Sequence, residues 1–227
     1  MLSGNTDCYQ PAEKKLKITR VLLEVCREYK QSLNIVTKNA LILRDLDILE
    51  EMAADQLVNV AISINGLDEK VRSKLEPRTS TYGKRLKAIE KLNEKGVPVR
   101  ALIAPVIPGL TDHHILPLAE ACAKAGAMDI GYVFIRLNGH LSALFSEWLE
   151  EHFPDRKEKV LSLIKQGHAG KLNDNAFGRR MRGDGPIAET IRQQVEMAKS
   201  KFFSNKKLPQ LDTKAFRRPE SGQMRLF

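Results

Sequence analysis

The chain has 227 residues, a formal net charge of +9 and 42% hydrophobic residues, so it can bury the core of one domain, with or without an appendage. Its three cysteines (Cys8, Cys26 and Cys122) are far apart, so no disulfide framework or metal pair is predicted and a reducing, cytoplasmic setting is expected. No apolar run approaches the roughly 20 residues that span a membrane, and no signal peptide is visible. The positive charge favours an acidic partner such as nucleic acid; a solvated basic surface explains it equally well.

Four short apolar runs predict the strands of a parallel sheet, at residues 33–36, 58–65, 97–104 and 130–137. Each run ends in polar or Gly/Pro residues, and amphipathic helices lie between the runs. Such a βα repeat places functional groups at the carboxyl ends of its strands. Met1–Ser3 matches only the last part of a further strand.

The helix that follows Pro11 is predicted to bury one face, formed by Ile18, Leu22, Val25 and Tyr29. Further helices are predicted around residues 46–53, 86–92 and 112–126. The connection at residues 66–81 is long and follows the carboxyl end of a strand, where functional residues are common.

The βα rhythm stops after residue 138. Two helices are predicted at 141–153 and 154–164, then a basic, glycine-rich loop and a helix at 187–202. The basic tail that follows has little periodicity and is predicted to be mostly disordered. These features divide the chain into a βα unit, a helical extension with the basic loop, and a tail, at 1–138, 139–203 and 204–227.

Several short motifs occur together in the order found in one family. They are Thr6–Pro11, Thr19-Arg20, Thr37–Asn39, Arg44-Asp45, Ser63, Glu76–Arg78, Arg85-Leu86, Ala104–Gly109 and Arg180–Gly183. With these motifs, which run from the first residues to about residue 203, the chain resembles the radical S-adenosylmethionine proteins related to spore photoproduct lyase, often described as DNA repair photolyases.

The resemblance implies an α/β fold, a partial parallel (βα) barrel whose cluster loop, Cys-x3-Cys-x2-Cys, holds a 4Fe–4S cluster. The cluster binds S-adenosylmethionine and splits it to a 5′-deoxyadenosyl radical, which abstracts hydrogen from the substrate. In this chain no two cysteines lie within four residues of each other, and the match to the family's third strand stands at residue 1. The first two βα units are therefore expected to be missing.

Two interpretations follow from this departure. We favour a C-terminal fragment of such an enzyme, inactive alone, whose partner would be the missing N-terminal half. The alternative is a short protein that has lost the chemistry and serves as a non-enzymatic binding module.

By resemblance, four residues would surround the methionine end of S-adenosylmethionine. Thr6 would lie near it, Asp7 would hold the loop, Lys38 would pair with the ligand carboxylate, and Ser63 would bond to the ribose or methionine end. Each also has a structural interpretation: helix capping for Thr6-Asp7, an exposed lysine, and a serine that satisfies a neighbouring loop.

Three more residues are candidates by the same resemblance. Pro105 and Ile107 would line the adenine, and Arg78 would bind a carboxylate or a substrate phosphate. The two prolines of the Pro105–Pro108 stretch would otherwise simply shape a turn. The five histidines show no metal-ligand spacing.

Two further segments suggest partners. Arg179, Arg180 and Arg182 would contact phosphates of a nucleic acid, or belong to a loop that packs on the barrel. The last five residues resemble the short peptide by which bacterial DNA enzymes bind the sliding clamp, with the contacts made by Gln223, Leu226 and Phe227.

Overall fold

The computed structural model describes residues 1–173 and 180–218. Its centre is a sheet of four parallel strands in the order β1-β2-β3-β4, with the bounds Leu33–Thr37, Val58–Ser63, Val99–Val106 and Asp129–Phe134. Sequence neighbours are also spatial neighbours, and Leu2 pairs with Ile35 in an isolated parallel bridge beside β1. The predicted α/β fold, a partial parallel βα barrel with a helical extension, is confirmed.

The helices follow the predicted order. They are α1 (Glu13–Leu16), α2 (Ile18–Glu28), α3 (Leu46–Ala54), α4 (Glu69–Leu75), α5 (Tyr82–Glu94), α6 (Ile115–Lys124), α7 (Leu141–His152), α8 (Lys157–Gln166) and α9 (Pro186–Phe202). The long connection at 66–81 contains α4, capped by the Asp68 side chain. None of the helices in the described ranges is long and apolar enough to cross a membrane.

The two faces of the sheet have different surroundings. Val60, Ile62 and Ala101 are buried on the face that α3, α5 and α6 cover. Ala61 and Leu102 point to the opposite face and are only half-buried. This opposite, inner face of the sheet is therefore partly open, and it lines the site described below.

Helix α2 buries a different face from the predicted one. Ile18, Leu22 and Val25 are 54%, 45% and 47% exposed, whereas Thr19 and Leu23 are buried. The polar contacts of the helix set its rotation: the Thr19 hydroxyl donates a 2.6 Å hydrogen bond to a loop carbonyl, and the adjacent arginine forms a two-bonded pair with a carboxylate of α3.

The tail is ordered where it is described. The sequence predicts disorder from residue 204, but residues 204–218 run past the amino ends of the strands with hydrogen bonds to them. The Asn59 side-chain amide donates to the Pro209 carbonyl at 3.0 Å, and the Asp212 amide donates to the Gln56 carbonyl at 2.9 Å. The error arises because main-chain hydrogen bonds to a distant strand leave no periodic pattern in the sequence.

The glycines of the basic loop allow it to pack closely on the barrel. Gly185 has φ +101°, and a Cβ there would lie 2.5 Å from the Gln166 carbonyl oxygen. A Cβ at Gly183 would lie 2.9 Å from the Cβ of Ala188. These glycines are thus explained by packing and by backbone conformation.

Substitution of Gly185 should destabilise the chain more than substitution of another glycine that has positive φ but free space around its Cβ position. Gly170 also has positive φ, at +85°, and the position that its Cβ would take has no neighbouring atom within 4 Å. We expect Gly170→Ala to cost about 1–2 kcal/mol for the left-handed backbone, and Gly185→Ala to cost about 1–3 kcal/mol more from overpacking. Urea unfolding of both variants measures the difference, and equal midpoints would contradict the packing role.

The apolar face of α2 should make the isolated chain associate with itself, because exposed apolar patches and open sheet edges both favour association. Sedimentation velocity should show oligomers, and Val21→Lys with Val25→Glu should shift the distribution toward monomer. Met197→Lys, at an exposed methionine on α9, is the matched control and should leave association unchanged. A monomeric unmodified chain would be evidence against self-association through this surface.

Candidate functional site

A cavity of about 460 Å³ lies at the carboxyl ends of the strands, against the inner face of the sheet. Its lining includes five of the seven predicted cofactor-binding residues, Thr6, Asp7, Lys38, Ser63 and Pro105. Parallel strands bring their carboxyl ends to one edge, so residues distant in sequence meet there. The volume falls within the range of small-molecule sites.

Asp7 connects the N-terminal loop, which precedes α1, to the end of β1 by hydrogen bonds. One carboxylate oxygen accepts hydrogen bonds from the Thr37 hydroxyl at 2.7 Å and from the Tyr9 amide at 2.9 Å, and the other accepts the Lys38 amide at 2.8 Å. These contacts give Asp7 a structural function at the rim of the cavity, and Thr6 beside it is exposed.

Lys38 shares a carboxylate with a buried arginine. The Lys38 ammonium and the Arg85 guanidinium bind opposite oxygens of Glu76, the latter at 2.7 Å. Arg85 is fully buried and also donates to the Ser63 carbonyl at 2.9 Å. Two cations with one carboxylate leave one net positive charge, which favours an anionic group in the cavity.

Ser63 is buried at the end of β2, and its hydroxyl donates to the Ala104 carbonyl at 3.2 Å. The hydroxyl oxygen keeps lone pairs with which to accept a further hydrogen bond. Ala104 and Pro105 form the apolar wall opposite Lys38, with Leu102 below them. The site thus combines a positively charged lysine, hydroxyl side chains and an apolar surface.

Two of the predicted residues lie elsewhere. Ile107 is fully buried and lines a neighbouring apolar cavity, and it does not line the 460 Å³ cavity. Arg78 is exposed and lines a third cavity together with Gln10 and Asn39. Ile107 directly follows β3, whereas Arg78 follows α4, and its cavity borders the main one through Thr6 and Asp7.

The predicted nucleic-acid residues fall outside the main cavity or outside the described part of the chain. Arg182 lines a polar cavity of about 260 Å³ beside β4 and α9. Arg180 follows the undescribed stretch at 174–179, which includes Arg179, and Arg180 has an interaction partner. The predicted clamp residues, Gln223, Leu226 and Phe227, also lie outside the described residues, so their function stays a prediction.

The cysteines do not form a cluster-binding set. Burial raises the pKa of the Cys8 thiol to about 11 and that of Cys122 to about 12, so both stay neutral at physiological pH. Within residues 1–173 and 180–218, no three His, Cys, Asp or Glu side chains are grouped to hold a metal ion. Among the residues that the structure describes, the three cysteines are thus not grouped as the ligands of a 4Fe–4S cluster would be.

Sequence reasoning missed Glu76, Arg85 and Arg136 as site residues. Arg136 lines the main cavity from the segment that follows β4. An arginine within an otherwise apolar run, Phe134 to Leu137, is the sequence signal that would have identified it. Arg85 carries a similar signal, because it occupies a core-facing position of α5.

The comparisons with known proteins agree with this architecture. The model of the family described as "Radical SAM superfamily" matches residues 1–122. An uncharacterised protein of Methanocaldococcus jannaschii is 30% identical over 159 residues, which cover 70% of this chain and 58% of that protein. An uncharacterised protein of Mycobacterium tuberculosis is 30% identical over 168 residues, which cover 73% of this chain and 49% of that protein.

Two further relatives carry functional names. The FeMo cofactor biosynthesis protein NifB of Chlorobaculum tepidum is 26% identical over 185 residues, 75% of this chain and 40% of that protein. A mutant of spore photoproduct lyase superposes with a TM-score of 0.58 at 18% identity, covering 82% of this chain and 53% of that chain. The chain thus spans about half the length of the proteins it matches, and it belongs to the radical SAM superfamily.

Proposed function

We propose that this chain is the C-terminal part of a radical SAM enzyme and that its 460 Å³ cavity binds S-adenosylmethionine. The observation that carries the proposal is that Lys38, Ser63 and Pro105, from the ends of three different strands, line one cavity. Membership of the superfamily supports this nucleotide as the ligand. One of the superposed spore photoproduct lyase structures contains bound AdoMet.

The residues present fit this ligand. The Lys38 ammonium would bind the ligand carboxylate while Glu76 retains its bond to Arg85, so the buried charges stay compensated. The Ser63 hydroxyl would accept a hydrogen bond from a ribose hydroxyl or the amino group, and Pro105 would offer an apolar surface to the adenine. When bound beside a reduced 4Fe–4S cluster, S-adenosylmethionine supplies the radical chemistry of the superfamily.

The cluster ligands would lie outside the residues of this sequence. The three cysteines of this sequence are separated, and the chain spans only 58% and 49% of two curated relatives. A complementary N-terminal half would supply the ligands and would cover the exposed apolar face of α2. On this proposal the chain alone is inactive, and the complete enzyme abstracts hydrogen from its substrate.

The likeness to spore photoproduct lyase supports lyase-type repair of DNA as the reaction of the complete enzyme.

The second candidate function is a non-enzymatic binding module. The positive charge of the chain favours it, together with the clamp-like ending Gln223 to Phe227. The DNA upstream of Met1 separates the two: a Cys-x3-Cys-x2-Cys sequence there, in frame or frameshifted, supports the enzyme fragment, and a genuine promoter and start site support the module.

Binding of S-adenosylmethionine should depend on the charge of Lys38. Loss of one charge-assisted hydrogen bond, about 1.5–3 kcal/mol, weakens binding by roughly 10- to 100-fold. We therefore expect Lys38→Met to lower the affinity by that factor in isothermal titration calorimetry. Lys70→Met, on the exposed start of α4, is the matched control and should bind normally. Equal affinities of the two variants would contradict the assignment of Lys38.

The chain alone should not assemble a cluster. After anaerobic reconstitution with iron and sulfide, we expect no stoichiometric 4Fe–4S absorption, because the three cysteines are separated and the thiols of Cys8 and Cys122 are held neutral by burial. Iron and labile sulfide analyses give the stoichiometry. Four irons per chain, lost on Cys8→Ser, would overturn the proposal that the cluster ligands lie outside this sequence.

A further inference from the structure

A second cavity, of about 420 Å³, adjoins the first and differs from it in character. Its lining is mostly apolar, with Ile107, Leu144 and Trp148 among its apolar residues and Lys74 and Arg136 as its charged residues. Pro105 and Arg136 also line the first cavity, so the two spaces share a wall. A molecule in the second cavity would therefore lie beside a ligand in the first.

The outer wall of this cavity is α7, whose aromatic residues are held in place. The Trp148 indole donates a 3.2 Å hydrogen bond to the Lys74 carbonyl, and the Phe145 ring stacks on it with centroids 5.4 Å apart. Leu141 and Leu144 of the same wall are 51% and 57% exposed. The wall thus presents uncovered apolar surface around an anchored aromatic pair, as a site for an apolar ligand would.

Arg136 places a positive charge at the junction of the two cavities, and no carboxylate of the described residues pairs with it. Its Nε is buried without a hydrogen-bond partner, and its Nη1 contacts the Met181 sulfur at 3.6 Å. Across residues 1–173 and 180–218, no carboxylate lies within ion-pair distance of it, whereas Arg85 in the first cavity has Glu76. A half-buried guanidinium without a counterion is costly, so the geometry favours an anionic group from a ligand.

Lys74 adds a second cation at the other end of the apolar wall. Its ammonium donates to the His152 carbonyl at 3.2 Å and lies 4.8 Å from the centroid of the Phe153 ring. No ion pair of Lys74 with a carboxylate occurs in the described part of the chain. Both polar residues of the cavity lining are therefore cationic, and the rest of the lining is apolar.

We propose that this second cavity binds a small molecule, or the end of a larger one, with an apolar body and one anionic group. The anionic group, a carboxylate or a phosphate, binds Arg136, and the apolar body lies against Leu144, Trp148 and Ile107. The identification of this ligand as the substrate rests on the proposed function, since the shared wall at Pro105 places it beside the nucleotide. Binding itself requires neither the nucleotide nor the cluster.

Trp148 is the single tryptophan of the sequence, so its fluorescence reports on this cavity. The probe is 8-anilinonaphthalene-1-sulfonate, an apolar body with one anionic group, and N-phenyl-1-naphthylamine is its uncharged counterpart. In the full 227-residue chain, we expect both probes to quench Trp148 by energy transfer. Decanoate and decyl phosphate should each displace them, and their relative affinities distinguish a carboxylate from a phosphate ligand.

Separate variants test the binding of the anionic group and the binding of the apolar body. Arg136→Gln should lower the affinity for the anionic probe by roughly tenfold or more, since a charge-assisted hydrogen bond contributes about 1.5–3 kcal/mol. The affinity for the uncharged probe should not change. Leu144→Asp, at an exposed position that should not impair folding, should weaken both probes. Val21→Asp, on the exposed apolar face of α2, is the matched control for nonspecific binding and should leave the quenching unchanged.

Two results would overturn the proposal. One is a titration in which neither probe quenches Trp148, and the other is an Arg136→Gln variant that binds the anionic probe as the unmodified chain does. Because the titration contains no S-adenosylmethionine, its failure is distinct from a failure of nucleotide binding. Circular dichroism of each variant confirms that the fold is retained.

Discussion

The buried ion pair between Glu76 and Arg85 connects most of the parts that form the site. Arg85 projects from α5, and its guanidinium reaches the Ser63 carbonyl at the end of β2 and the Ser80 carbonyl in the long connection. Glu76 in turn receives the Lys38 ammonium from the end of β1. Removing one partner of such a buried pair typically costs about 3–5 kcal/mol, because the other charge is left uncompensated. Two strand ends, the connection and a helix are thus held in one arrangement.

The open inner face of the sheet provides the surface on which the cavities form. The helices that follow the strands cover one face, and Ala61 and Leu102 on the other face stay half-buried. Polar groups gather at the carboxyl ends, where the strands stop and their side chains no longer need to pack. The two adjoining cavities follow from this: one has a positive, hydroxyl-bearing rim, and the other is apolar with the Arg136 cation at its edge.

The same geometry explains why the chain exposes so much apolar surface near its start. Helix α2 is held by the hydroxyl of Thr19 and by the pairing of Arg20 with Asp45 and Asp47, so Val21, Leu22 and Val25 point outward while Leu23 is buried. Polar contacts set the rotation of this helix at the expense of apolar burial. That outcome is reasonable for a helix with a partner surface, and it links the superfamily assignment to the proposal of a complementary half.

Much of the site could be predicted from strand ends. Lys38, Ser63 and Pro105 each follow an apolar run, and the carboxyl ends of parallel strands share one edge, so their meeting needed no coordinates. Ile107 directly follows β3 and Arg78 follows α4, and both line other cavities. Which way a loop residue points depends on contacts with distant segments, and these leave no local signal.

The order of strands and helices, the parallel sheet and the superfamily could all be inferred from the amino-acid sequence, because apolar periodicity and motif order are local properties of the chain. Three features required the folded molecule: the buried face of α2, the packing of residues 204–218 along the amino ends of the strands, and the position of Arg136 between two cavities. Each of these depends on pairing between residues far apart in sequence. Such pairings are selected by the whole set of competing contacts and cannot be inferred from any one segment.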